Sequence, residues 1–171
     1  MERARQRVYN ACAILKTKPA ELAQKLESQV EEIKALKRSI ESFKAKETAG
    51  EVDRVFFGAH NVGGLKVLTA IIPNADAGKL RQMGDSLRDK ASDVVAVLSC
   101  VNDDKITFLA VCGKDAIAKG IKAGDLVKLV CTTCGGSGGG KPDSAMGGGK
   151  DLLKLDDALA QVDGFVASKL N

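Results

Sequence analysis

Eight of the chain's 18 glycines fall between Gly135 and Gly149, with Lys141 set among them and Lys150 following directly. Glycine loses more backbone freedom on ordering than any other residue, so such a density is costly inside a folded domain. It lets backbone N–H groups come close to a ligand, most often an anion. A plain Gly/Ser run is a flexible linker. Here Lys141-Pro142-Asp143 interrupts the run and an amphipathic segment follows, so the stretch reads as a glycine-rich loop, 135–149, embedded in a domain. A phosphate-binding P-loop requires Ser or Thr after its lysine. Pro142 follows Lys141 and Asp151 follows Lys150, which excludes that nucleotide site. A dinucleotide fingerprint belongs after the first strand of a βαβ unit, whereas this run lies near the C-terminal end.

Other chemistry-bearing residues are sparse. The single histidine, His60, cannot build a His-rich zinc site. Cys131 and Cys134 form one Cys-x-x-Cys pair, an incomplete set for structural zinc. Near the C-terminal end of a predicted helix, they read as buried small residues rather than a redox dithiol. Cys12, Cys100 and Cys112 read as core positions, and five scattered cysteines suit a reducing compartment. Asp156-Asp157 reads as a helix cap. No nucleophile–base constellation emerges, so the predicted catalytic and metal sites are none.

The elements that position these residues fall into two parts. Apolar residues make up 44% of the 171 and aromatics 4%, so the core must be built of Leu, Ile, Val and Ala. No apolar run reaches the ~18 residues of a membrane span, and no signal-peptide core follows the basic N-terminus. Residues 1–48 hold 11 Lys/Arg against 7 Asp/Glu, which accounts for the whole net charge of +4. Residues 2–16 read as one helix with Val8, Cys12 and Leu15 on a stripe. Lys18-Pro19 breaks it and starts another. Leu22, Leu26, Ile33, Leu36, Ile40 and Phe43 then alternate at gaps of three and four, with Gln29 as one polar seam position. The pattern predicts an antiparallel, coiled-coil-like helical hairpin over 1–48, with Leu22, Leu26, Ile33, Leu36 and Ile40 as dimerisation candidates. Lys34, Lys37 and Arg38 share another face, either a solvated surface or a basic strip for nucleic acid.

From 51 to 171 the pattern becomes α/β, a small mixed sheet covered by helices. A short helix over 51–60 is ended by Gly63-Gly64. Leu65 to Ile72 is a strand stopped by Pro73. Asp76 caps a helix running to Ala91. Strands follow at 93–100 and 106–111, antiparallel because the connection is short. A short helix spans 114–119, another opens at Gly124-Asp125 and ends at Gly135, and a last one is capped by Asp156.

Gly138-Gly139-Gly140-Lys141-Pro142-Asp143 followed by Ala145-Met146-Gly147-Gly148 resembles the glycine-rich signature near the C-terminus of bacterial-type alanyl-tRNA synthetases. Gly120 to Val127, Gly63 to Leu68, and Pro19-Ala20-Glu21-Leu22 with its heptads are similar to other stretches of that family. The likeness extends over nearly the whole chain. Phosphoesterases of the DHH superfamily carry a related signature, but with His-Pro after the triple glycine, where this chain has Lys141-Pro142. Lys18 stands where the family often has Ser, and Cys131/Cys134 are outside its usual pattern.

The resemblance implies a segment of a much longer chain: the non-catalytic C-terminal domain, which contacts the outer corner of the tRNA and supports aminoacylation and editing. The alternative is a dimerisation or structural module. Lys141, Lys150, Gly138, Gly139, Gly140, Gly147 and Gly148 are the implied RNA-binding set, extended by Lys34, Lys37 and Arg38. No cofactor is expected in this chain; ATP, Mg and an editing-domain Zn belong to the other domains of the parent. Expected partners are tRNA (alanine tRNA), those remaining domains, and a second copy for the dimer, with no membrane. The expected compartment is the cytoplasm, and an organellar parent would carry the same segment.

Overall fold

Val, Ile and Leu alternate or run together in three segments of the second part of the chain, and these form the centre of one six-stranded sheet. The computed structural model describes residues 2–171 and divides into two units, Met1–Lys46 and Glu47–Asn171.

In the first unit, helix α1 (Glu2–Leu15) stops at Lys16, whose φ is +50°, and Thr17 N–H returns to Cys12 O at 3.0 Å. Lys18 is extended, as a residue before proline must be, and Pro19–Glu21 forms a 3₁₀ turn leading into α2 (Leu22–Phe57). The helix–break–helix pattern is the one the sequence predicts. The apolar seam, however, is not closed. Leu26, Ile33, Leu36 and Ile40 stay about half exposed and Phe43 more so, with Leu22 half-buried. At ~1.5 Å per residue α1 spans only ~21 Å, and its own Val8, Tyr9 and Ile14 are exposed. It does not cover the stripe.

Helix α2 is longer than predicted. Gly50 does not end it, because a single glycine costs a helix only ~1 kcal/mol against alanine and Val52 is buried on the far side. The separate short helix expected over 51–60 is therefore absent. The chain leaves α2 at Phe57 and enters β1 (His60–Val62), which pairs antiparallel with β2 (Leu65–Ile71) through Gly63-Gly64, both at positive φ.

Helix α3 (Ala77–Lys90) is capped by Asp76, whose side chain accepts from Lys79 N–H at 2.7 Å. It connects β2 to β3 (Val94–Asn102), which runs parallel to it. A two-residue turn at Asp103-Asp104, again at positive φ, returns the chain as β4 (Lys105–Cys112). Short α4 (Lys114–Ala118) leads to α5 (Ala123–Thr133).

The stretch expected to be a glycine loop is two strands, β5 (Ser137–Gly140) and β6 (Ser144–Gly149), which complete the order β1-β2-β3-β4-β6-β5. Only Lys141-Pro142-Asp143 turns between them. The reason is long-range: β6 pairs with β4 from Ile106↔Gly149 to Val111↔Ser144, and ladder hydrogen bonds outweigh the low strand propensity of glycine.

Asp151 accepts from Leu153 N–H and caps a 3₁₀ turn, after which α6 (Leu155–Leu170) runs to the end. Asp156 lies in the first turn of α6 and is not its cap. On one face of the sheet, α3 with Leu80, Met83 and Leu87 packs on Leu68, Leu98, Leu109 and Val111. On the other, α5 and α6 cover Val95, Val97, Phe108 and Ala145 with Leu126, Val130 and Val162. No helix among the described residues is long and apolar enough to cross a membrane.

Candidate nucleic-acid interface

The glycine hairpin is built from α5 outward. Helix α5 ends in a Schellman arrangement. Gly136 N–H donates to Cys131 O at 2.8 Å, Gly135 N–H to Thr132 O at 3.1 Å, and Gly135 sits at φ +66°. That turn throws the chain back along the helix as β5. A Cβ on Gly138 would stand 2.4 Å from Val127 Cγ1, and one on Gly147 2.5 Å from Cys131 Sγ. These two glycines let helix and hairpin touch. The glycine density thus has a packing cause on the face turned toward α5.

The opposite face differs. Antiparallel pairing puts Ser137, Gly139, Met146 and Gly148 there, and strand alternation makes them point away from α5. A Cβ on Gly139 would meet nothing within 4 Å. Helix α3 reaches this face with Arg81, whose Nε donates to Met146 Sδ at 2.9 Å.

The tip is held from several sides. Cys112 N–H donates to Asp143 O, Ala123 N–H to Pro142 O, and Lys141 N–H to Ser144 O. Arg88 donates from Nη1 to Asp143 Oδ2 at 2.6 Å and from Nη2 to Asp85 Oδ1 at 2.9 Å. This hydrogen bond from the guanidinium holds the Asp143 carboxyl below its ordinary value. Lys141 stays exposed at the tip. Lys150 is exposed at the other end, and its N–H donates to Cys134 O. At ~3.3 Å per residue the two lysines are ~20 Å apart.

Of the residues implicated from sequence, Lys141, Lys150, Gly138, Gly139, Gly140, Gly147 and Gly148 come together on this one hairpin. Lys34, Lys37 and Arg38 lie on α2 in the first unit, where Lys34 pairs with Glu31 at 2.9 Å. His60 faces Asp163, Nε2 to Oδ2 at 3.0 Å. Cys131 and Cys134 are fully buried, and among the described residues no group of three or more His, Cys, Asp or Glu could hold a metal.

Residues 64–168 match the family model described as "DHHA1 domain". The chain belongs to the DHHA1 family. This DHHA1 chain is 41% identical over 162 residues to an alanine–tRNA ligase of Janthinobacterium sp. (strain Marseille), covering 95% of the chain and 18% of that protein. It is 42% identical over 166 residues to the alanine–tRNA ligase of Thiobacillus denitrificans, covering 97% and 19%. The chain thus spans about a fifth of the length of the curated relatives it matches. Among solved structures it is similar to the C-Ala domain of Aquifex aeolicus alanyl-tRNA synthetase, with a TM-score of 0.60 and 27% identity. That match covers 64% of this chain and 97% of the other. The resemblance read from the glycine signature and the α/β class are both found.

Sequence reasoning missed Arg88, Arg81 and Lys105. They come from α3 and β4, and only the packing of α3 on the sheet and the strand order bring them to the hairpin.

Proposed function

We propose that this DHHA1 chain is a non-catalytic tRNA-binding module of an alanyl-tRNA synthetase, its C-terminal domain, which grips the outer corner of the tRNA and so supports aminoacylation and editing. The observation that carries this reading is the hairpin: a backbone face turned away from α5, with exposed Lys141 and Lys150 at its two ends. Lysines beside a backbone surface with few side chains read phosphates and shape rather than sequence. Gly138 and Gly147 let the hairpin lie against α5, Gly140 lies close against Ala145 and Ser144 of the neighbouring strand, and Gly139 and Gly148 carry no side chain on the other face. Lys34, Lys37 and Arg38 make a basic strip of their own on α2. Alanine tRNA is the expected ligand, and the cytoplasm the expected compartment. ATP, Mg and Zn chemistry would reside in the remaining domains of such a synthetase.

The test is binding of the full chain to alanine tRNA and to an unrelated tRNA at low and moderate salt. Affinity should fall steeply with salt, similarly for both tRNAs. Absence of binding at low salt overturns the reading.

A second reading rests on the half-exposed stripe Leu26, Ile33, Leu36 and Ile40, flanked by Leu22: self-association through α2. A monomeric mass in sedimentation at high protein concentration would eliminate it. The two readings are compatible.

A further inference from the structure

Lys105 opens β4 and Lys150 directly follows β6. The register pairs Thr107 with Gly148 and ends with Ile106 opposite Gly149, and Lys105 and Lys150 are the next residues at that same end of the two strands. Like charges on neighbouring strands repel. Among the described residues neither lysine has a carboxylate within ion-pair distance. Asp151 is turned to Leu153 N–H at 3.2 Å and to Lys154 Nζ at 3.7 Å, while Asp103 and Asp104 in the preceding turn make no pair with Lys105. Two neighbouring cations are left without a counter-charge.

A cavity of about 330 Å³ opens beside them, lined by Lys105, Thr107, Ser137, Gly148 and Lys150 among others. Thr107, Gly148 and Ser137 form one row across β4, β6 and β5, so their side-chain positions share a face. The glycine separates two hydroxyls. A Cβ on Gly148 would meet only Ile106 O, at 3.3 Å, so β6 itself leaves room for a side chain that is not there.

We propose that Lys105, Lys150, Thr107 and Ser137 form a seat for one phosphodiester phosphate of the bound RNA backbone. Two ammonium groups supply the charge, and two hydroxyls supply neutral donors to the non-bridging oxygens, Thr107 turning there from its contact with Cys100 on β3. Lysine suits this as a compact point charge. Lys105, Thr107 and Ser137 lie outside the set read from the glycine signature. The inference rests on the reading that the chain binds RNA.

The experiment uses the full chain and the variants Lys105→Gln, Lys150→Gln, Thr107→Val and the double lysine variant, with labelled tRNA titrated at several salt concentrations. The double variant should lose about tenfold or more in affinity at low salt, and its slope of log K on log salt should become shallower by about 0.7 to 0.9 for each phosphate that is no longer neutralised. Thr107→Val should weaken binding with an unchanged slope. Melting temperature should hold or rise, since the change removes a like-charge pair. Wild-type binding with an unaltered double variant overturns the seat and leaves the RNA reading intact. If wild type binds no tRNA, the RNA reading falls, and inorganic phosphate then tests the anion seat alone. Amide shifts at Ser137, Gly148 and Lys150 that vanish in the double variant uphold an anion seat. Absence of such shifts overturns it.

Discussion

Arg88 on α3 donates to Asp143 at 2.6 Å, so a helix that packs under the centre of the sheet also fixes the tip of its last hairpin, 55 residues away in sequence. The tip carries Lys141, which protrudes because its neighbours Pro142 and Asp143 are tied down through Ala123, Cys112 and Arg88.

Replacing Arg88 by Leu should therefore loosen the tip more than it unfolds the domain. The pair is partly exposed, and such pairs contribute about 1 kcal/mol or less. Denaturant unfolding should show a loss of about that size. Hydrogen exchange should quicken at Lys141 and Cys112, whose N–H groups bond Ser144 O and Asp143 O at the tip, with Leu80 and Leu87 in α3 unchanged. Equal quickening throughout α3 would mean that Arg88 acts on the core instead.

The same contact gives a pH dependence of stated sign. Hydrogen bonding from Arg88 holds the Asp143 carboxyl below its ordinary 3.8 in the folded chain. In the unfolded chain that carboxyl binds its proton first, so stability rises with pH through this window. The contribution is fully present above the ordinary value and is lost as pH falls through the lower folded one. Between pH 5 and pH 3 the wild type should lose more stability than Asp143→Asn. Parallel acid curves for the two proteins would show that the contact adds nothing.

The fold class was legible because Leu65–Ile72, Val94–Cys100 and Ile106–Val111 are dense in β-branched residues, and because Asp76 and Gly135 are local punctuation with local causes. The hairpin was not legible. Glycine carries no side-chain pattern, so nothing in residues 135–149 announces strands; the pairing with β4 and the packing on α5 are long-range. The end of α2 at Phe57 lies beyond the predicted one for a related reason. Gly50 is a weak breaker, and burial of Thr48 and Val52 carries the helix through it. Lys141 and Lys150 could be found from the motif they flank. Lys105 could not, since only the sheet order makes it a neighbour of Lys150.

The two faces of the hairpin should answer glycine substitution differently. Gly147→Val would drive a side chain into Cys131 Sγ and the backbone of Gly138 and Ser137, all closer than 3 Å to its Cβ. Overpacking of this kind costs about 1–3 kcal/mol, and more where backbone must move. Gly139→Ala meets open space and should change stability by about 0.5 kcal/mol at most, as ordinary surface substitutions do. Thermal melts of the two variants decide the matter. A Gly139→Ala variant as unstable as Gly147→Val would show that the face away from α5 is also packed.

The cysteines should behave as core residues rather than redox groups. Burial pushes the Cys131 thiol up to about 11 and the Cys112 thiol up to about 12, with neighbouring Cys134 and Asp143 respectively adding to the effect. The thiolate is the reacting species, and at pH 8 a thiol of pKa near 11 is ionised to only about one part in a thousand. Cys131 O also accepts the bond that closes the end of α5, so twisting this residue toward Cys134 would disturb the turn into β5. A chromogenic disulfide reagent at pH 8 should therefore label the native chain slowly at all five cysteines and the denatured chain at once. Mild oxidation should leave no Cys131–Cys134 disulfide in a peptide map. Rapid native labelling at Cys131 or Cys134 would mean that the packing between α5 and the hairpin opens in solution, with Gly147 and Gly149 held less closely against the helix than their short approaches to Cys131 and Cys134 imply.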